Sequence, residues 1–119
     1  MKLPNAENAV IDIGKLRNYC LNPNHPEGKH KARVFKAKLG IGANDAERLR
    51  KVILEAVLKA EAIEQRRTEY GRRFFVDFEI SWPEGKFVVN TALVRTGWII
   101  RNDEDIPRLT TCFNPRRRA

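Results

Sequence analysis

The chain has 119 residues, of which 42% are hydrophobic and 32% are charged, a composition that excludes an intrinsically disordered segment. Its apolar runs are too short for a membrane span and its first residues lack a secretory signal, so we expect a cytoplasmic domain over residues 1–115 with a basic tail over residues 116–119. Lys and Arg number 23 against 15 acidic residues, and this net charge of +8 favours a polyanion or an acidic protein as the partner.

Two short helices are predicted first. Asp12 can cap a helix that ends near Leu21, where the loop sequence of residues 22–28 begins. Residues 31–39 place their apolar side chains on one stripe, and Gly40 is a common helix stop, which predicts a second short helix.

One long helix is predicted next. Asn44 with Glu47 three positions on resembles a capping box at the start of this helix. Apolar residues then recur at helical spacing for about five turns. We therefore expect the helix to extend to about Arg66.

An antiparallel sheet is predicted in the second half. Residues 74–81 alternate apolar and polar side chains, as a half-buried strand does. Residues 87–101 are long for one strand, and Gly97 predicts a bulge or bend within them. Residues 107–113 form the last strand. The predicted fold class is α+β, with two short helices and one long helix packed on a three- to four-stranded antiparallel sheet.

The first candidate site is the basic segment of residues 29–38, which carries five full positive charges and His30 without an acidic residue. A loop-to-helix junction offers free backbone N–H groups and the positive end of the helix dipole to a phosphate. A solvent-exposed basic helix face has the same composition, so both interpretations stay open. The candidate phosphate ligands in this segment are Lys29, Lys31, Arg33 and Lys36.

The second candidate site lies on the sheet, where Arg95, Arg108, Thr110 and Thr111 fall within strands. Cationic and hydroxyl side chains at strand centres indicate a wet sheet face on which a ligand can lie. Threonine also has a high strand propensity, so an ordinary exposed face explains the same residues. Trp98 is either a core residue or a platform on which a base stacks.

Metal and cofactor chemistry has little support in the sequence. Cys20 and Cys112 lie far apart and, with His25 and His30, show no ligand spacing typical of zinc. A Gly-rich phosphate loop, a nucleophile elbow and a carboxylate cluster for magnesium are not found. If the protein cleaves nucleic acid, we expect no metal, no cofactor and an RNA substrate, because the RNA 2′-hydroxyl can itself attack the adjacent phosphorus.

Two sequence strings resemble a bacterial family. They are H-P-x-G-x-H-K-A-R-V-F over residues 25–35 and G-W-I-x-R…P-R-L-x-T over residues 97–111. The family comprises domains at the C-terminal tips of polymorphic toxins and in stand-alone toxin-like genes beside small partner genes. The resemblance covers nearly the whole chain and ends before residues 116–118. It implies the ribonuclease architecture of the barnase, EndoU, colicin and RelE group, with N-terminal helices against a four-stranded antiparallel sheet.

The resemblance also implies a set of site residues. They are His30, Lys31, Arg33, Arg95, Trp98 and Thr111. In a ribonuclease of this type His30 is the general base or acid, since imidazole serves both roles near neutral pH. Lys31, Arg33 and Arg95 hold the phosphate, and Thr111 donates a hydrogen bond to a non-bridging oxygen.

One conflict concerns Thr111. Strict alternation places it on the same face as Leu109 and Phe113, which we expect in the core. Either a bulge turns Thr111 outward or Thr110 supplies the functional hydroxyl.

The leading prediction is a metal-independent ribonuclease of the bacterial toxin type. The predicted nucleic-acid-binding residues are Lys29, Lys36, Trp98, Arg108 and Thr110. One alternative is a non-catalytic nucleic-acid-binding module in which the same cations only neutralise phosphates and Trp98 or Phe75 stacks a base. The other is a regulatory domain that binds protein. A toxin also requires a small acidic antitoxin or immunity protein, which we expect to cover residues 30–33 and the Arg95–Thr111 sheet face, because opposite charge speeds capture. No membrane association is expected.

Overall fold

The structure is a computed structural model that describes residues 1–115, and the predicted tail over residues 116–119 lies outside the described residues. The helical elements are a 3₁₀ turn at Ala6–Asn8, α1 at Ile13–Lys15 continued by a π-helical turn at Leu16–Cys20, α2 at Lys29–Leu39, a 3₁₀ turn at Ala43–Asp45 and α3 at Ala46–Ala56. The strands are β1 at Ala62–Glu64, β2 at Gly71–Glu84, β3 at Val88–Arg101 and β4 at Arg108–Phe113. None of the helices within residues 1–115 has the length and apolar content to cross a bilayer.

The four strands form one antiparallel sheet in the order β1-β2-β3-β4. Strands β2 and β3 pair along their whole length, from Gly71 opposite Arg101 to Glu84 opposite Val88. Strands β1 and β4 are shorter and lie at the two edges. The predicted α+β fold, with helices on an antiparallel sheet, is confirmed.

The core lies between the helices and one face of the sheet. Alternate residues of β2 point into it, as the predicted period of two requires. Trp98 of β3 and Phe35 of α2 are almost fully buried there. The largest buried side chains are Trp98, Phe35, Phe74, Leu16, Leu21, Leu39, Ile41, Leu49, Ile53, Val57, Val76 and Val94. The opposite face of the sheet carries the polar residues of the same strands.

The ends of the short helices follow local sequence signals. The Asp12 carboxylate accepts a hydrogen bond from the Gly14 N–H at 2.8 Å, which confirms Asp12 as the predicted cap. Helix α2 ends at the predicted Gly40, whose φ of 75° is a conformation that glycine adopts without strain. Its first residue is Lys29, two positions earlier than predicted.

The long helix is shorter than predicted and begins with a different cap. The Asp45 carboxylate accepts a hydrogen bond from the Gly42 N–H at 2.9 Å, so Asp45 takes the role expected of Glu47. Helix α3 ends at Ala56 rather than near Arg66. The chain then turns, and Ala62 becomes an edge-strand residue that is buried opposite Val76. Pairing with β2, in which Val76 lies 14 positions after Ala62, therefore overrides the helical spacing of these residues.

Candidate functional site

Strand β4 contains a β-bulge that decides where its threonines point. Gly97 pairs with Thr111 and Trp98 with Leu109, so Thr110 is the additional residue. A Cβ atom on Gly97 would lie 2.9 Å from Thr111 Cγ2 and 3.0 Å from Thr110 Oγ1, so both threonine side chains lie over Gly97. Leu109 stays in the core. The bulge thus turns Thr111 out of the core. This is one of the two explanations that the sequence offered for a threonine at a position expected to face the core.

An ammonium group from α2 meets this bulge. Lys31 Nζ donates a hydrogen bond to Thr111 Oγ1 at 3.3 Å. It also lies 4.7 Å from the centroid of the Phe113 ring and 5.8 Å from that of Tyr19. A second ammonium, that of Lys15, lies 5.8 Å from the same Tyr19 ring. Within residues 1–115 neither lysine forms an ion pair, so positive charge accumulates beside the two hydroxyls. We call Lys15, Tyr19, Lys31, Thr110 and Thr111 the β4 site.

A cavity of about 540 Å³ adjoins the β4 site, between the first helix and the edge strand. Its lining residues are Asp12, Gly14, Lys15, Asn18, Tyr19, His25, Glu27 and Thr110. The Asp12 carboxylate in this lining already accepts a hydrogen bond from the Gly14 N–H. The cavity is large enough for a nucleotide-sized ligand.

Arg95 lies on the outer face of the sheet, two residues before Gly97. Its guanidinium donates two hydrogen bonds to the Asp77 carboxylate, at 2.9 and 3.0 Å. Its Cζ atom lies 4.8 Å from the centroid of the Phe75 ring. The hydrogen bond that Arg95 donates to Asp77 raises the pKa of Arg95, so this cation keeps its charge. Asp77 and Phe75 therefore fix the Arg95 guanidinium on the face that carries the bulge, and a phosphate at Arg95 would have to displace Asp77.

The other predicted site residues of α2 lie on different sides of the helix. Arg33 and Lys36 line a separate cavity of about 510 Å³ on the far side of the helix from Lys31, against Ile41 and the 3₁₀ turn. His30 is exposed, and at 100° per residue it points away from the buried stripe that faces the sheet. Lys29 is half-buried at the first position of the helix. The structure brings Lys31 to Thr111 but does not bring His30 or Arg33 there.

Two of the predicted nucleic-acid ligands have other roles. Trp98 is only 1% exposed, and its indole N–H donates to Thr96 Oγ1 at 2.8 Å. The prediction that Trp98 contacts nucleic acid is wrong, because its ring offers no exposed face on which a base can stack. Arg108 donates to both oxygens of the Glu104 carboxylate, at 2.7 to 3.2 Å. A phosphate at Arg108 would have to displace Glu104.

One of the comparisons with known proteins identifies a family. A model of a domain of unknown function, DUF6883, matches residues 2–116. The chain belongs to the DUF6883 family. No curated protein and no solved structure matches it.

Sequence reasoning missed three residues of this DUF6883 domain. Lys15 and Tyr19 belong to the β4 site, yet nothing in their local sequence distinguishes them from other helix residues. His25 lines the adjoining cavity, and its Nδ1 accepts hydrogen bonds from the backbone N–H groups of Glu27 and Gly28, both at 3.0 Å. It therefore shapes the loop before α2 and lies edge-on to Tyr19, with ring centroids 4.9 Å apart.

The two cysteines are buried and reduced, as the sequence indicates. Burial raises the pKa of the Cys20 thiol to about 11, although a hydrogen bond with the Cys112 backbone partly offsets this. Burial also raises the pKa of Cys112. Residues 1–115 contain no group of three or more His, Cys, Asp or Glu side chains arranged to hold a metal ion.

Proposed function

We propose that this DUF6883 domain is a ribonuclease of the bacterial toxin type that binds an RNA phosphate at the β4 site. The contact between Lys31 and Thr111 carries the proposal. It joins the basic helix and the polar sheet strand, which lie 80 positions apart in the sequence. An ammonium group and a hydroxyl side by side can donate hydrogen bonds to the two non-bridging oxygens of one phosphate.

Further cations surround the β4 site and suit an extended polyanion. Arg95 lies on the sheet face beside the bulge, held by Asp77. A cavity of about 220 Å³ on this face is lined by Thr110 together with Arg66 and Arg73. Thr110 thus borders both this cavity and the larger one beside Lys15. An RNA strand that crosses the β4 edge would meet two arginines on the sheet side, and one lysine together with two carboxylates on the other side.

The proposed reaction is an internal transfer within the RNA. The 2′-oxygen forms a bond to the adjacent phosphorus while its proton passes to water, and the bond from phosphorus to the 5′-oxygen breaks. The 5′-oxygen leaves with a proton from the Lys31 ammonium. Water then protonates the Lys31 amine and restores the ammonium. The products are a 2′,3′-cyclic phosphate and a free 5′-hydroxyl. Thr111 stabilises the charge that develops on the non-bridging oxygens, and Arg95 contributes only if the phosphate displaces Asp77.

His30 does not take the catalytic role expected from the sequence in this proposal. Its ring is exposed on the side of α2 that faces away from the sheet. Lys31, the next residue, makes the contact with Thr111 instead. Replacement of His30 therefore serves as a matched control, because it alters the same helix turn without altering the β4 site.

The test compares Lys31→Met with His30→Ala. Each purified variant is incubated with total RNA in EDTA, and circular dichroism verifies that the fold is retained. We expect parental cleavage by His30→Ala and a loss of about 100-fold or more in Lys31→Met, since the latter removes a donor to the transition state. Equal cleavage by Lys31→Met and the parent, or no cleavage by the parent, would refute the proposal.

A non-catalytic RNA-binding module is the second candidate function. One observation favours it: among the described residues no imidazole contacts Lys31 or Thr111, and His25 Nδ1 is engaged by backbone N–H groups. Such a module would bind RNA with the same dependence on Lys31 but leave it intact. Mass spectrometry of the RNA ends distinguishes the two candidates, because only the ribonuclease yields a 2′,3′-cyclic phosphate.

A neutralising partner follows from the proposed activity. We expect a small acidic protein, encoded nearby, that covers Lys31, Thr111 and the Arg95 face, because opposite charge speeds capture of a chain with a net charge of +8. Co-expression with the neighbouring gene should relieve growth arrest. A partner that leaves Lys31 and Arg95 exposed would contradict this expectation.

A further inference from the structure

The hairpin formed by β2 and β3 extends beyond both edge strands. Strand β4 pairs with β3 only between Arg95 and Ile99, so among the described residues no strand lies beside residues 88–94 on that side. The side chain of Asn114 donates a hydrogen bond to the Leu93 carbonyl at 2.6 Å, which shows that this carbonyl faces the open side. Because backbone groups alternate along a strand, those of Val89 and Thr91 face the same side. Within residues 1–115, residues 88–94 therefore form a strand edge with no paired strand, on which Asn114 bonds the Leu93 carbonyl.

This edge lacks the features that usually protect sheet edges. The eight residues from Phe87 to Val94 contain no charge and no proline, whereas natural edges are guarded by charges, prolines or a covering element. The side chains of Phe87, Val88 and Val89 are 94%, 51% and 62% exposed. The opposite side of the hairpin, on β2, does carry Pro83 and acidic residues. An unguarded edge of this length indicates a surface that another chain covers.

A groove beside the edge indicates the chemistry of that chain. It has a volume of about 570 Å³ and is lined by Val34, Lys38, Thr91, Ala92, Leu93, Asn114 and Pro115. Its lining is about equally polar and apolar, and among the described residues the one ionisable side chain in it is that of Lys38. A strand with alternating apolar and acidic side chains would place the apolar ones near Val34 and an acidic one near Lys38. A second copy of this chain fits poorly, because pairing two copies across β3 brings the two Lys38 side chains and two charges of +8 together.

We propose that the β3 edge, residues 88–94, binds an extended acidic segment of a partner protein by strand addition. The added strand continues the sheet along the line of β4 and packs against α2. Backbone hydrogen bonds to Val89 and Thr91 supply affinity, and Lys38 selects for acidic side chains. This proposal does not rest on RNA cleavage, and its test measures binding alone.

The test uses a displayed library of random decapeptides selected on the full chain. We expect enriched peptides that alternate apolar residues with Asp or Glu. A labelled consensus peptide is then titrated by fluorescence anisotropy. Val89→Lys should weaken binding at least about tenfold, since a lysine on the edge obstructs an incoming strand. The control Ile63→Lys, at an exposed apolar position on the opposite edge strand, should bind like the parent.

Amide hydrogen exchange on the parent protein gives a readout that needs no variant. Protection should rise at Val89 and Thr91 when the peptide binds. Three results would overturn the proposal: no enriched peptide family, binding that Val89→Lys leaves unchanged, or protection confined to other residues. Sedimentation of the chain alone supplies the last test, because a dimer that Val89→Lys disrupts would assign the edge to a second copy instead.

Discussion

Thr111 joins the two halves of the molecule through one hydroxyl. Its Oγ1 atom accepts a hydrogen bond from the Lys31 ammonium at 3.3 Å, and the bulge directs the Thr111 side chain away from the core. Thr111→Val keeps the shape of the side chain and removes only the hydroxyl. We expect RNA cleavage to fall by about 100-fold, as for the loss of one transition-state donor, with little change in thermal stability.

The control for Thr111→Val is Ser81→Ala, which removes an exposed hydroxyl from the same sheet. Single-turnover cleavage of a short RNA measures both variants. Unchanged cleavage by Thr111→Val would show that this hydroxyl neither positions Lys31 nor acts on the substrate, and would contradict the proposed site.

The buried thiols predict a pH dependence of stability. The pKa of Cys20 is raised by burial to about 11 in the folded protein, from an ordinary value of 9.0. Between these values the unfolded chain loses the thiol proton and the folded chain keeps it, so the unfolded state binds fewer protons and stability falls as pH rises. The contribution is complete below pH 9, and roughly 2–3 kcal/mol is lost by about pH 11.

Urea denaturation at pH 7.5, 9 and 10.5 measures this dependence. Lysine and tyrosine side chains also titrate at the upper end of the range, so the parent is compared with a Cys20→Ala and Cys112→Ala double variant. The double variant should lose less stability between pH 9 and pH 10.5 than the parent. Parallel curves for the two proteins would contradict the prediction.

Among the elements of the fold, the bulge of β4 has the most direct connection to the site. It requires glycine opposite, because a Cβ atom on Gly97 would come within 2.9 Å of Thr111 Cγ2 and 3.0 Å of Thr110 Oγ1. Thr111 Oγ1 accepts a hydrogen bond from Lys31, so rotating this side chain away from the Cβ atom would break that contact. Gly97→Ala should therefore destabilise the protein by about 1–3 kcal/mol and displace both threonines.

The measurement for Gly97→Ala is thermal unfolding together with RNA cleavage below the unfolding temperature. Gly85→Ala is the matched control, because its Cβ would meet no atom within 4 Å, although its positive φ of 71° adds some backbone strain. If Gly97→Ala retained both parental stability and parental cleavage, the bulge would not position the site.

The charge of the whole molecule predicts how RNA binding responds to salt. Each phosphate that a cation neutralises releases counterions, and for a single strand the slope of log affinity against log salt is about −0.7 per contact. With about four such contacts around the β4 site, affinity should fall roughly 50-fold between 50 and 200 mM salt. Lys31→Met should remove about one of these contacts and so make the slope shallower by about 0.7. Affinity that does not respond to salt would contradict an electrostatic interface.

The sequence alone predicted those parts of the protein that depend on neighbouring residues. The Asp12 cap, the Gly40 stop and the alternating strand of β2 each follow from local backbone chemistry, and the structure contains all of them. The α+β class followed from their order along the chain. The positive charge was equally evident, because composition does not depend on the fold.

Only the tertiary structure decided where α3 ends, how β4 is paired and which cations share a site. Ala62 leaves the helix because it pairs with Val76, a contact that no local signal encodes. Lys31 and Arg33 are two positions apart, yet a helix rotates 100° per residue and sends them to opposite sides, so that only Lys31 meets Thr111. A one-residue bulge changes which face a side chain occupies, and Gly97 by itself does not show which of the two paired strands carries the additional residue.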